Sequence, residues 1–414
     1  MHVLRPLFVV LALAAIILII RSIWIPSDFG IHERGYTYGW YRQSNIEEWK
    51  NFAVKYRGRE FCVACHAAQV QKLAPAKHKN IECENCHGPS LSHPADPLKL
   101  VLDRSRELCL RCHARLFYPN SQRSQIKGIN PDQHNPGLEC VLCHNPHEAS
   151  KPNLEVKLNR RDFIKLTIKG TAALVLVKGL DGIFRPPDVQ AWTLPLRFVF
   201  LVDTYKCIGC GFCVKACKLE NEIPFDAGVS RTWVERYVVN GEGAVFADTP
   251  KEARYGFTTG RIDLGRGKFK DIPQEKIKKA FFVPKLCNQC EKPSCVQVCP
   301  VGATYQNADG VVLVDRKWCI GCGYCIMACP YGMRFFHPVH RVADKCNFCY
   351  HRINQGLRPA CVQACPTGAR LIGNIKDPGD PVENVIRTQQ VAVHKPEYGT
   401  NPQVYYIGLG EEVR

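Results

Sequence analysis

Between Arg5 and Arg21, residues 7–20 are all apolar. Fourteen residues alone fit a signal-peptide core. Extension to Ile25, past one arginine that can reach the interface, gives about 19–21, enough for a membrane helix. No small-x-small cleavage site comes next, the residues being S-I-W-I-P, and Trp24 suits an interfacial position. The pattern favours an uncleaved anchor over a cleaved signal, and either one exports the residues behind it. A second apolar stretch, ending at Phe184, is interrupted by Lys165, Lys169 and Lys178. Its uncharged run of about eight residues is too short to span a bilayer. L-R-F-V-F-L-V-D from Leu196 predicts a strand, and 232–239 and 243–246 predict two more. After Cys365 the chain is rich in proline and polar residues and predicts irregular coil.

Twenty-four cysteines redirect this reading. Four C-x-x-C-H motifs lie within residues 62–144: Cys62, Cys65, His66; Cys83, Cys86, His87; Cys109, Cys112, His113; Cys140, Cys143, His144. Each reads as c-type haem attachment, with two thioethers to the porphyrin and the adjacent histidine as proximal iron ligand. One such motif arises by chance; four so close together do not. A segment this short buries little core alone, and four porphyrins supply the missing apolar bulk. The three methionines, Met1, Met327 and Met333, all lie outside it, which argues against methionine ligation. His78, His93, His134 and His147 are four unclaimed histidines for four haems, with His32 spare. They are the expected distal ligands, giving low-potential iron closed to further ligands.

Residues 319–330, C-I-G-C-G-Y-C-I-M-A-C-P, form the bacterial ferredoxin run, whose fourth cysteine serves the neighbouring cluster. Gly321 and Gly323 permit a tight loop with amides facing sulfur, and the loop predicts a helix carrying Cys329. Zinc is the competing assignment for isolated C-x-x-C pairs, but this spacing with its proline favours iron–sulfur. Cys207, Cys210, Cys213 and Cys217 repeat the run, with Lys218 in the proline position. Cys287, Cys290, Cys295 and Cys299 give a looser version, as do Cys346, Cys349, Cys361 and Cys365. With Cys319, Cys322, Cys325 and Cys329 these are four sets of four, predicting four [4Fe–4S] clusters. Every cysteine thus falls in a cofactor motif, and no structural disulfide is expected.

The formal charge of +17 would suit nucleic acid or anionic lipid. Four clusters bring roughly −8 and four haem propionate sets roughly −4 to −8, leaving about +1 to +5. The basic residues therefore mostly balance cofactors, and no nucleic-acid motif is present. G-R-G-K-F-K at Gly265 lacks the phosphate-loop pattern. His337, His340, His351 and His394 lie away from the haem motifs and are read as ordinary polar residues. The cysteine-free insertion between Lys218 and Leu286 is expected to cover one side of the clusters.

From about Leu196 the order and spacing of the cysteine groups resemble the four-cluster ferredoxin subunits of dimethyl sulfoxide, polysulfide, tetrathionate and nitrite reductase systems. That resemblance implies a duplicated ferredoxin with interleaved ligands. Cys207, Cys210 and Cys213 would take Cys365; Cys346, Cys349 and Cys361 would take Cys217; Cys287, Cys290 and Cys295 would take Cys329; Cys319, Cys322 and Cys325 would take Cys299. Residues 1–158 are similar in layout to membrane-anchored tetrahaem cytochromes, and N-R-R-D-F-I-K (159–165) resembles a twin-arginine export signal, read chiefly as a fusion relic. The expected fold class is α+β. It comprises a membrane anchor (1–25), a mostly α and irregular tetrahaem domain (26–158), a linker (159–195) and a duplicated ferredoxin domain (196–414) with a strand-rich insertion. The expected function is a non-catalytic electron-transfer subunit on the outer, periplasmic face of the cytoplasmic membrane. Its implied partners are a quinone-binding integral membrane subunit of the polysulfide-reductase type and a molybdopterin or cytochrome protein. The competing reading is a catalytic multihaem reductase of nitrite or a sulfur oxyanion, which needs a haem with an open sixth position.

Overall fold

The computed structural model describes residues 4–32, 39–91, 93–96, 100, 102–148, 195–249 and 255–413. The twin-arginine-like segment and the apolar stretch behind it lie outside the described residues. The helix Arg5–Trp24 has a proline in its first turn, Arg21 in its last and no buried residue. Its 20 residues span about 30 Å, the thickness of a bilayer's hydrocarbon core. An apolar helix that packs on none of the described residues needs another apolar medium, and a membrane anchor fits it.

The next part of the chain is helical and irregular. Its helices are Ser44–Lys50, Arg59–Leu73, Cys83–His87 and Arg106–His113, with single 3-10 turns at Gln122–Gln125, Cys140–Leu142 and Pro146–Glu148. Ser105 caps the helix Arg106–His113 by accepting from the Leu108 amide.

In the C-terminal half the apolar strand Phe198–Asp203 lies inside a four-stranded sheet. Arg370–Asn374 pairs with it antiparallel and Val404–Ile407 parallel, while Ala392–Val393 closes the edge on Val404–Ile407. This corrects the expectation of a coiled tail: residues after Cys365 supply three of the four strands and the helix Pro381–Thr388. The reason is tertiary. Phe198–Val202 are buried on both faces and need partners on either side. Asp380 caps the helix at 2.7 Å from the Val382 amide, and Val382 packs on Val199 and Leu201.

The insertion is a three-stranded antiparallel sheet, Val245–Asp248, Thr232–Asn240 and Ile277–Leu286. It covers the first cysteine loop as expected: the Phe282 ring sits where a Cβ on Gly209 would fall. Gly209, at φ +68, is therefore held to glycine by both space and backbone.

The two halves share one core. Tyr41 stacks on Tyr305 at 4.2 Å, and Trp49 Nε1 donates to the Val314 carbonyl at 3.0 Å. Arg42 bridges Glu48 and Asp315, both at 2.8 Å. The buried Glu220 carboxylate accepts from the Tyr56 amide at 2.7 Å, His351 Nε2 at 2.7 Å and Arg352 Nη1 at 3.2 Å. Burial alone would raise its pKa, but His351, Arg352 and the Tyr56 amide outweigh it and hold Glu220 below the usual carboxylate range.

Candidate haem and iron–sulfur sites

Each C-x-x-C-H motif sits on or beside a short helical turn, which brings both thiols and the histidine to one edge. The helix Arg59–Leu73 kinks at His66, where φ is −114 and ψ 34. The helices Cys83–His87 and Arg106–His113 end on their histidines. Every motif histidine has a second histidine facing it. The ring centroids are 6.0 Å apart for His66 and His93, 6.2 Å for His87 and His147, 5.9 Å for His113 and His78, and 6.2 Å for His144 and His134. Two metal–imidazole bonds of about 2 Å plus the ring radii place centroids roughly 6–6.5 Å apart across one iron. The four pairs therefore have room for a metal between them. His113 Nδ1 lies 2.9 Å from the Lys127 carbonyl and His78 Nδ1 lies 3.0 Å from the Pro146 carbonyl. A carbonyl only accepts, so both Nδ1 atoms carry the proton and both Nε2 lone pairs are free for iron. Burial lowers the pKa of His87, His93 and His113, keeping them neutral and able to ligate. The spare His32 stands apart, 3.2 Å from the Tyr41 carbonyl.

The remaining cysteines gather across the sequence groups. Cys207 is surrounded by Cys213, Cys210 and Cys365, and Cys217 by Cys349, Cys361 and Cys346. Cys290 faces Cys287, Cys295 and Cys329, while Cys325 has Cys299 beside it. Among the described residues no three ligand-type side chains close to the spacing of a single metal ion. Burial pushes the Cys213 thiol up to about 11 and Cys346 up to about 12. Such thiols ionise only against a strong positive centre, which an iron–sulfide core supplies. Sets of four thiols with neighbouring amide donors thus fit that core. The Thr304 amide points at Cys299 Sγ from 3.4 Å, and Phe348 N at Cys346 Sγ from 3.4 Å. One local expectation changes: the helix after the Cys319 loop is only Tyr324–Met327, so Cys329 lies beyond its end. The Ala328 carbonyl accepts from Ser294 Oγ at 2.8 Å, and Pro330 comes two residues later.

The C-terminal half matches two 4Fe-4S dicluster domain models, over residues 206–303 and 278–375. The chain is 41% identical over 256 residues to a tetrathionate reductase subunit of Salmonella typhimurium, covering 61% of this chain and 89% of that protein. It belongs to that family of 4Fe-4S ferredoxin subunits. Its relatives include the tetrathionate reductase subunit of the same name from Archaeoglobus fulgidus, 43% identical over 51% of this chain and 83% of its own. Protein NrfC of Escherichia coli is 35% identical over 60% of this chain and 95% of its own. A Cytochrome c3 model matches residues 75–156. The motif at Cys62 lies outside that match, yet its histidine has the same kind of partner as the other three.

The family fold also holds two cations that the sequence reading passed over. Arg334 is buried with Nη2 3.1 Å from Cys295 Sγ, and Arg370 is buried among Cys213, Cys361, Cys207 and Cys365. Burial would lower both pKa values, but the surrounding sulfurs outweigh it and keep both arginines charged. The signal was present twice: C-P-Y-G-M-R at 329–334 and C-P-T-G-A-R at 365–370.

Proposed function

We propose that the chain is an electron relay in a membrane-bound respiratory complex, carrying four c-type haems and four [4Fe–4S] clusters and no substrate site of its own. The observation that carries this reading is the coexistence of four facing histidine pairs with thiols that gather across the sequence groups. The haems would be held by Cys62, Cys65, His66 and His93; by Cys83, Cys86, His87 and His147; by Cys109, Cys112, His113 and His78; and by Cys140, Cys143, His144 and His134. The clusters would take the interleaved ligands implied by the family resemblance. Haem and cubane supply one-electron chemistry. The chain sets potentials through histidine ligation, amide and arginine contacts to sulfur, and burial. Two histidines at each haem leave no open position for an oxyanion, which disfavours the catalytic alternative.

Orientation is argued from the anchor. Phe29 lies five residues beyond Trp24 and packs on Trp318 at 5.5 Å. Five extended residues reach about 17 Å at most, so the neighbouring Cys319 loop lies close to the bilayer. That loop exposes Ile320, Tyr324 and Met327, with Phe336 and Val339 nearby. Exposed apolar residues beside a cluster loop suit a quinone-reactive integral membrane subunit, with the cofactor domains on the outer face. The opposite end is left for a molybdopterin or cytochrome partner. Gentle solubilisation followed by capture of this chain tests the reading: a quinone-binding membrane subunit should co-purify, with low-spin haem spectra throughout. A protein that purifies alone, with a high-spin haem, would defeat it.

A further inference from the structure

Two haem-binding motifs meet the cluster-binding half: at the second, Asn85 Nδ2 donates to the Ala364 carbonyl at 3.0 Å, and at the third a motif thiol approaches a cluster loop. Cys112, the second thiol of the third C-x-x-C-H motif, packs against the small core that holds Cys210 of the first cluster loop. Both pack in the same small core with Tyr56 and Phe212. Within the haem-binding half, Cys62 meets Cys83 and Cys109 meets Cys140.

Around Cys112 and Cys210 the backbone is held by buried arginines. Arg123, 2% exposed, donates from both Nη atoms to carbonyls alone, while its buried Nε has no partner among the described residues. Nη1 donates to Arg111 O and, at 3.2 Å, to Ile208 O; Nη2 donates to Leu110 O at 3.2 Å, Ala114 O at 3.0 Å and Phe257 O at 3.1 Å. Three of those carbonyls belong to the end of the Cys109–His113 helix and one to the cluster loop. Arg111 Nη1 adds a bond to the Cys210 carbonyl at 3.3 Å, and Ser121 Oγ one to the Cys207 carbonyl at 2.5 Å. Burying a guanidinium without a carboxylate is costly, so this one is retained for the groups it aligns.

We infer that electrons cross between the haem-binding and cluster-binding halves at the Cys112–Cys210 contact, and that Arg123 is the positioning residue that holds that contact. The inference rests on the relay reading and adds its crossing point. The exchange would move one electron between a haem held by Cys109, Cys112, His113 and His78 and a cluster held by Cys207, Cys210, Cys213 and Cys365, one group gaining the electron the other loses. No bond forms or breaks and no proton moves.

The test uses the full-chain holoprotein, frozen oxidised and reduced radiolytically in the frozen state, so that reduced clusters stand beside ferric haem. Paramagnetic resonance then reads the spin coupling between them. One cluster should relax rapidly, and His78→Ala, which turns the third haem high-spin, should change that coupling while His93→Ala leaves it unaltered. Arg123→Gln should lose the coupling with all haem and iron content retained, and Arg123→Lys, one donor group in place of a fork, should not restore it. Coupling that responds to His93→Ala and not His78→Ala overturns the crossing point. Full coupling in Arg123→Gln overturns the positioning role. If Arg123→Gln does not accumulate, the two histidine variants decide the crossing point alone. Solution-phase haem-to-cluster exchange separates the two levels: if it persists while this coupling is absent, the relay stands and the crossing lies elsewhere. If it is absent as well, the relay reading itself fails.

Discussion

Replacing Arg334 with glutamine should lower the potential of the clusters it touches. Its Nη2 donates to Cys295 Sγ at 3.1 Å, and Cys295, Cys325 and Cys287 are its closest charged neighbours. Reduction adds one negative charge to a core, and a buried cation stabilises the added charge, so its removal favours the oxidised form. A hydrogen bond to a charged group is worth about 1.5–3 kcal/mol. At about 59 mV per 1.4 kcal/mol for one electron, the expected drop is about 60–130 mV. Arg334→Lys keeps the charge without the fork and should recover part of it. The assay is a potentiometric titration of the full-chain holoprotein followed by paramagnetic resonance. Cluster signals assigned to the Cys287 and Cys319 groups should move down, while those near Arg370 stay. A shift under about 20 mV, or one upward, would refute the electrostatic argument.

Three further outcomes rest on the same kind of contact. Glu220→Ala leaves buried Arg352 without its carboxylate and frees the amide of Tyr56; losing one partner of a buried pair costs about 3–5 kcal/mol. Hydrogen-exchange mass spectrometry should therefore show residues 53–61 losing roughly two to four decades of protection, and an unchanged exchange rate there would contradict it. His147→Ala should turn only the haem at Cys83, Cys86 and His87 high-spin, seen as one new ferric signal with the other three unaltered. His394, buried and beside Lys285, has its pKa pushed down to about 4, chiefly by burial. The unfolded chain then binds more protons between pH 4 and 6.5, so stability falls as pH drops through that window, by about 2 kcal/mol from pH 7 to pH 5. Thermal unfolding at the two pH values, with His394→Gln as the flattened reference, reads this directly.

What was legible in the sequence was local. The C-x-x-C-H and ferredoxin spacings point to ligand type because most candidate ligands of each site lie in one short run. Four spare histidines for four C-x-x-C-H motifs pointed to facing pairs, but not that His78 faces His113 while His147 faces His87. Those pairings are made by packing between residues far apart in the chain. The tail was misread because V-Y-Y-I at 404–407 is a short alternation among proline and polar residues, and only the unpaired strand Phe198–Asp203 makes it a strand. Arg123 sits in the polar stretch S-Q-R-S-Q, where nothing local marks a side chain that joins two domains. Arg334 and Arg370 were readable by comparing the two C-P-x-G-x-R repeats, since duplicated folds place equivalent residues at equivalent clusters.

The central claim is that haems and clusters conduct within one chain. Flash reduction of the purified holoprotein, monitored at the haem α band and in the broad cluster absorbance, tests it most directly. The account predicts that haem reoxidation and cluster reduction share one first-order rate that does not change on dilution. A rate proportional to protein concentration would mean that electrons move only between molecules, and would contradict it.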